Sequence, residues 1–229
     1  MIFFFICLSA AFLLSLFILH VMTREDYALM RRNISMEQLY NIAFLTFLSG
    51  IFFARVFFII FHFHLIYLNP VVFFALFYFP GLSLFGAIIG ILLALGVICY
   101  KNNYPWKKFF DFFSISFACG LPLAALGTSA LHPQAYLFPI LASVVWYALI
   151  GVIGIGVFYR RILRNVMMDG LSTALLLISI VVSYCLSLFW RVRTLHFIQQ
   201  PEVISLLLLC GCLITFLGIL IMAKKKEKV

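Results

Sequence analysis

The sequence predicts an all-α integral membrane protein, a bundle of about seven transmembrane helices with its N-terminus outside the cytoplasm and its C-terminus inside. Three observations predict it: an apolar composition, apolar runs of membrane-spanning length, and an uneven distribution of lysine and arginine. Hydrophobic residues make up 66% of the 229 positions and charged residues only 10%. So few polar residues cannot form a water-exposed surface.

Several apolar runs are long enough to cross a bilayer, because about 30 Å of hydrocarbon takes about 20 helical residues. The first run lacks the basic start and the small-residue cleavage site of a signal peptide, so we interpret it as a retained helix. The predicted spans are residues 1–22, 40–63, 81–100, 109–131, 136–159, 171–190 and 203–223. With no internal repeat or low-complexity linker, residues 1–229 are predicted to form a single transmembrane domain, and no soluble domain is expected.

The orientation follows from the basic residues between the spans. Thirteen of them fall on one side: Arg24, Arg31, Arg32, Lys101, Lys107, Lys108, Arg160, Arg161, Arg164, Lys224, Lys225, Lys226 and Lys228. The opposite side holds only Arg191 and Arg193. The positive-inside rule makes the richer side cytoplasmic. The net charge of +9 is therefore attributed to topology and anionic lipid, and no nucleic-acid partner is expected.

Metal and cofactor chemistry find little support in the sequence. Four histidines, His62, His64, His132 and His196, fall near the predicted outer face, but positions 62 and 64 point to different sides of a helix. Interfacial histidine is the ordinary explanation. The six cysteines lie in apolar spans without a C-x-x-C pair, so no disulfide framework, metal or cofactor is predicted.

Three polar or small-residue features stand out within the spans. Arg55 is costly in a helix span, and it either faces a cavity or partner or extends toward the outer headgroups. Asp111 follows two lysines near a span start, where a carboxylate favours a helix N-terminus, so a structural role is favoured over a catalytic one. Gly86 and Gly90 are spaced for close helix packing.

Several segments together resemble the prolipoprotein diacylglyceryl transferase family, bacterial enzymes that transfer diacylglycerol from phosphatidylglycerol to a lipobox cysteine. The resemblance is clearest at residues 81–90, GLSLFGAIIG, which are similar to the family's G-x-S-F-H-G-G-x-x-G. Residues 50–57 are similar to the helix that carries G-A-R-x-G-Y, and residues 132–136 to a shortened H-P-x-Q-x-Y. The remaining matches are residues 34–39, Trp106 and Asp111-Phe112.

The chain departs from the family pattern at residues that the chemistry needs. Phe85 stands where the family has histidine, and Ala125 and Thr128 stand where its signature has arginine and asparagine. Leu137 replaces a glutamate, and residues 184–191 have Tyr184 in place of an arginine while retaining Arg191. Attack by a thiolate needs a base or an electropositive pocket, and a leaving phosphate needs cations. Phe85, Ala125 and Tyr184 provide neither.

The resemblance therefore implies the fold of the transferase in a bacterial plasma (inner) membrane, with phosphatidylglycerol and prolipoprotein signal segments as partners. Two functions stay open: a catalytically impaired relative that binds lipid, and an active diverged transferase that uses substitute residues. A transporter is disfavoured because broken helices and half-repeats are not evident. No catalytic residue is assigned, and the candidate lipid-binding residues are Arg55, Gly86, Gly90, His132, Gln134, Tyr136 and Arg191.

The orientation can be tested by labelling Asn102, which lies in a predicted cytoplasmic loop. A cysteine placed there, in a variant without the six native cysteines, should resist an impermeant maleimide added to intact cells and react after permeabilisation. Asn69, on the predicted outer side, is the matched position and should react without permeabilisation. Labelling of position 102 from outside would reverse the orientation.

Overall fold

The computed structural model describes residues 2–24, 34–63, 67, 69–75, 81–129, 137–163, 170–195, 204 and 207–218. These residues are helical apart from short connections. The helices are α1 (Ile2–Arg24), α2 (Met36–Phe61), a short α3 (Pro70–Phe74), α4 (Leu84–Lys101), α5 (Trp106–Thr128), α6 (Leu137–Ile153), α7 (Leu171–Leu195) and α8 (Leu207–Gly218). Beyond Ile153, α6 continues as a π-helical turn, Gly154–Tyr159, and a last turn, Arg160–Leu163.

Five helices in the described part of the chain are long and apolar enough to cross a membrane. They are α1, α2, α4, α5 and the segment Ile140–Tyr159, and they match the first five predicted spans. Two shorter apolar helices, Leu171–Leu186 within α7 and Leu207–Gly218, fall within the last two. A multi-pass helical membrane protein is thus confirmed, while the number of seven spans and their orientation stay predictions.

Three helices begin at side chains that cap the free amides of the first turn. Ser35 and Gln38 form a reciprocal capping box before α2, with both hydrogen bonds at 3.2 Å. The Asn69 side chain accepts from the Val71 amide at 3.0 Å before α3, and the Ser83 hydroxyl accepts from the Gly86 amide at 3.4 Å before α4. The capping box lies within the motif at residues 34–39, so that motif has a local structural role.

The helix α5 lies at the centre of the bundle. In the apolar stretch of α5 that could cross a membrane, 67% of the residues are buried, against 17% to 33% in the corresponding stretches of the other four long helices. Its antiparallel partner is α1: the Ser116 hydroxyl donates to the Ser15 carbonyl at 2.5 Å, and a Cβ on Gly120 would lie 2.8 Å from the Ala11 carbonyl oxygen. On its other side, Gly151 of α6 approaches Cys119, where a Cβ would lie 3.4 Å from the Cys119 Cα atom.

The helices α2 and α4 form a second antiparallel pair, joined by small residues. A Cβ on Gly86 would lie 2.9 Å from the Ala54 Cα atom, and one on Gly90 would lie 2.6 Å from the Ser49 carbonyl oxygen. The Ser49 hydroxyl in turn donates to the Gly90 carbonyl at 3.0 Å. Gly86 and Gly90 therefore allow the two backbones to touch, as the small-residue spacing predicts.

We expect leucine at Gly86 to destabilise the α2–α4 pair by about 1–3 kcal/mol, since the new side chain meets backbone that cannot move aside. Gly96 is the matched control on the same helix, because a Cβ there has no heavy atom within 4 Å. Thermal unfolding in detergent should show a lower midpoint for Gly86→Leu than for Gly96→Leu. Equal midpoints would contradict the packing assignment.

Candidate functional site

Arg55 lies in the last two turns of α2 and is buried, with 2% of its surface exposed. Its guanidinium donates three hydrogen bonds to backbone carbonyls: Nε to Phe73 at 3.2 Å, Nη2 to Val72 at 3.2 Å and Nη1 to Gly81 at 3.1 Å. At this burial the guanidinium is surrounded by protein groups, while its depth relative to the headgroups stays a prediction. Arg55 binds the end of α3 and Gly81, which both lie between α2 and α4 in the sequence.

The carbonyls of Val72 and Phe73 need such a donor because they lie at the end of α3. The last four carbonyls of a helix have no partner within it, and a cation there also meets the negative end of the helix dipole. Asn69 caps the start of α3 and Pro70 occupies its first turn, so side chains stabilise both ends of this five-residue helix.

Two aromatic rings complete the surroundings of the Arg55 guanidinium. Its Cζ atom lies 5.7 Å from the centre of the Phe58 ring and 5.4 Å from that of Tyr67. Both distances are within the range of cation–π attraction, which strengthens when the cation is removed from water. The site thus stabilises a buried cation through carbonyl oxygens and ring faces.

The backbone at residues 81–83 is fixed from the same part of α2. The Ser83 amide donates to the Ala54 carbonyl at 3.0 Å, next to the Arg55 bond to Gly81. Gly81 also lies against the Phe58 ring so closely that a Cβ would overlap it. Residues 54–58 therefore position the start of α4, which carries most of the motif at residues 81–90.

Phe85, at the position of the family's histidine, belongs to an aromatic cluster. It is 3% exposed, and its ring lies 5.0 Å from that of Phe57 in an edge-to-face arrangement and 6.1 Å from that of Phe61. Phe85 is therefore part of the apolar core. Edge-to-face aromatic pairs stabilise beyond the area they bury.

The other predicted site residues divide into two groups. Gly86 and Gly90 lie in the contact between α2 and α4, within two helical turns of Phe85. His132, Gln134 and Tyr136 lie outside the described residues, and Arg191 lies in α7 with its side chain outside them. The lipid-binding role of these residues stays a prediction.

Asp111 is the second buried charged group, and its carboxylate binds the start of another helix. It accepts hydrogen bonds from the Gly170 amide at 2.5 Å, the Ser172 hydroxyl at 2.5 Å, and both the Thr173 amide and hydroxyl at 3.0 Å. The sequence predicts a structural role at a helix N-terminus, and the structure gives Asp111 one. The helix it caps is α7 rather than its own, because the side chain lies on the face of α5 that contacts α7.

Comparison with family models matches residues 3–128 to prolipoprotein diacylglyceryl transferase, more than half of the chain. The chain belongs to this family. A search of curated proteins gives no match.

The matched residues include most of the buried positions described above. Arg55, Phe85, Gly86, Gly90 and Asp111 all lie within the matched residues, and Arg191 lies beyond them. The resemblance noted in the sequence is thereby confirmed. The backbone carbonyls that Arg55 binds also lie within the matched residues.

We expect Arg55→Leu to destabilise the protein, because it leaves the carbonyls of Val72, Phe73 and Gly81 without their donor. A buried group without a partner costs about 1–3 kcal/mol, so the unfolding midpoint should fall clearly. Arg55→Lys should recover part of the loss, because an ammonium cannot span three carbonyls with the guanidinium's geometry.

Arg24 is the matched control, since it is exposed at the end of α1 and its replacement by leucine should leave the midpoint nearly unchanged. Thermal unfolding in detergent compares the variants. An unchanged or raised midpoint for Arg55→Leu would show that the carbonyl contacts contribute nothing net to stability.

Proposed function

We propose that this protein is a catalytically impaired member of the diacylglyceryl transferase family that retains binding of phospholipid, with phosphatidylglycerol as the preferred lipid. Its location would be the bacterial plasma membrane, in agreement with the family's prolipoprotein substrates and the predicted cytoplasmic excess of basic residues. Prolipoprotein signal segments are the second expected class of partner.

The observation that carries the proposal is a buried phenylalanine, Phe85, at the position that the resemblance assigns to the family's histidine. The family reaction forms a thioether as a cysteine thiolate attacks a glyceryl carbon and the phosphate ester leaves, so it requires a group that removes the thiol proton. A phenyl ring neither accepts nor donates a proton. Because Phe85 is buried against Phe57, the surrounding space favours an apolar ring over an imidazole.

The cations of the family site support the same conclusion. Stabilising a leaving phosphate in low dielectric needs preorganised cations, usually arginine. Arg55 binds three backbone carbonyls, and Ala125 in α5 and Tyr184 in α7 replace arginines of the family pattern. Losing a single preorganised donor can lower turnover by about 10²- to 10³-fold, and several are replaced here.

The alternative, an active diverged transferase, would have to recruit other cations. Arg191 and Arg193 near the end of α7 are the candidate cations, and His132 is the candidate base. The described residues offer no observation that favours this alternative, so the experiment below decides it.

We expect expression of this protein to fail to restore growth in a bacterium depleted of its diacylglyceryl transferase, while an intact transferase of the family restores it. Equal membrane levels, checked by immunoblotting of tagged proteins, make the comparison valid. Restored growth would refute the loss of transfer, and loss of that growth in Arg191→Ala or His132→Ala would then identify the substitute residues.

The lipid-binding part has its own measurement. The protein purified from membranes that contain phosphatidylethanolamine and phosphatidylglycerol should retain phosphatidylglycerol above its membrane proportion in native mass spectrometry. Retained lipids at the membrane proportion would contradict selective binding, whatever the growth assay shows.

A further inference from the structure

The bundle contains two units in which helices pack backbone against backbone. The α2–α4 unit is joined by the glycine contacts described above. In the α1–α5 unit, a Cβ on Gly120 would lie 2.8 Å from the Ala11 carbonyl oxygen, and one on Gly127 would lie 2.9 Å from the Cys7 Cβ atom. The helices α6 and α7 pack on α5 and belong to this second unit. Because closely packed interiors resist deformation, we expect each unit to behave as one body.

The packing between the two units is different, because cavities lie on both sides of the contact between α4 and α5. One cavity encloses about 100 Å³ and is lined by α1, α2, α4 and α5, and the other encloses about 40 Å³ and is lined by α4, α5 and α7. Among the described residues, Ile91 of α4 and Phe113 and Phe117 of α5 border both cavities. Protein interiors normally leave few such spaces. The units therefore meet here through side chains that have space on either side.

One polar contact joins the units at their predicted cytoplasmic ends. The Tyr40 hydroxyl of α2 lies 2.8 Å from Nδ1 of His20 on α1. The two rings are also stacked, with an angle of 15° between their planes. This contact combines a hydrogen bond with ring packing, so it holds α1 and α2 together at one end.

The connection from α4 to α5 lies at the same end and contains only Asn102–Pro105. Its backbone is well defined: Asn103 is in the left-handed region at φ 53°, and the Tyr104 amide donates to the Cys99 carbonyl at 3.0 Å. A left-handed residue followed by such a bond is a common way to end a helix. The units thus share a second short attachment at their predicted cytoplasmic ends.

Aromatic rings close the seam between α1 and α2 farther from this end. The Phe12 ring stacks on that of Phe47, with ring centres 4.0 Å apart. Phe12 is eight residues from His20, which is about 12 Å along α1. Nearer the predicted outer ends, Ile6 of α1 and Ile60 of α2 are 60% and 58% exposed. The ring stack therefore lies where a contact can resist separation of the outer ends.

We propose that the two units form a hinge. They pivot at their predicted cytoplasmic ends while their predicted outer ends separate and close, and the Phe12–Phe47 stack favours the closed state. Motion of packed bodies about a few connecting residues is a common form of conformational change. Positions of the family pattern lie on both units, Phe85 on the α2–α4 unit and Ala125 on the α1–α5 unit, so the motion changes the space between them.

Distances between spin labels test the hinge, measured by double electron–electron resonance on the full protein in lipid nanodiscs. The labels are attached to cysteines introduced in a variant without the six native cysteines. Ile6 and Ile60 report the outer ends of the two units, and we expect a broad or two-peaked distribution of distances. Two control pairs of exposed residues should give single narrow peaks: Val21 with Tyr100 across the pivot, and Ile6 with Leu141 within the α1–α5 unit.

A variant without the ring stack tests what holds the hinge closed. Phe12→Ala should raise the ratio of open to closed molecules about two- to tenfold, as expected for the loss of one aromatic pair. Phe17→Ala is the matched control, because it makes the same change on the same helix at a side chain that is 62% exposed. It should leave the Ile6–Ile60 distribution unchanged, and equal effects of the two variants would overturn the role of the ring stack.

The outcome that overturns the hinge is an Ile6–Ile60 distribution as narrow as both controls, in the parent protein and in Phe12→Ala. Equal breadth for all three pairs would also overturn it, because the motion would then not be confined to the outer ends. If the cysteine-free variant does not fold, spin labels on p-acetylphenylalanine at the same positions give the same test with the native cysteines in place. The measurement involves neither transfer nor lipid selectivity, so the hinge and the proposed function can fail separately.

Discussion

Backbone groups at helix ends determine how this bundle is held together, because hydrocarbon offers them no water to bind. Two buried charged side chains meet that demand with opposite signs. The Arg55 cation binds carbonyls at the end of α3, and the Asp111 carboxylate binds amides at the start of α7. Each charge is stabilised by the helix dipole it faces, and each joins segments that are separate in the sequence.

Arg55 and Phe85 lie on the two helices of one antiparallel pair, and both are buried within the part of the chain that matches the family. The contacts of Gly86 and Gly90 with α2 place position 85 beside Phe57. An imidazole there would need a polar partner, whereas a phenyl ring needs only packing. The close helix contact thus favours an aromatic ring at position 85.

The sequence predicts the long helices well because hydrophobic length is a direct physical requirement of the bilayer. The predicted span at residues 40–63 matches most of α2, and the start of α4 is marked by the cap Ser83. The partners of Arg55 could not be predicted, because they are backbone carbonyls, which every residue has. The partners of Asp111 lie about sixty residues away, although a Gly-x-Ser-Thr sequence at a helix start is a signal for a cap.

The capping of α7 by Asp111 has a consequence for biosynthesis. Asp111 lies five residues into α5, about 7 Å along the helix, and α5 leaves the ribosome before α7. Until Gly170, Ser172 and Thr173 arrive, the Asp111 carboxylate lacks the hydrogen bonds that these residues donate. The Asp111 carboxylate therefore gains these partners only when the chain beyond the family-matched region has been made, so one side chain links the order of translation to completion of the bundle.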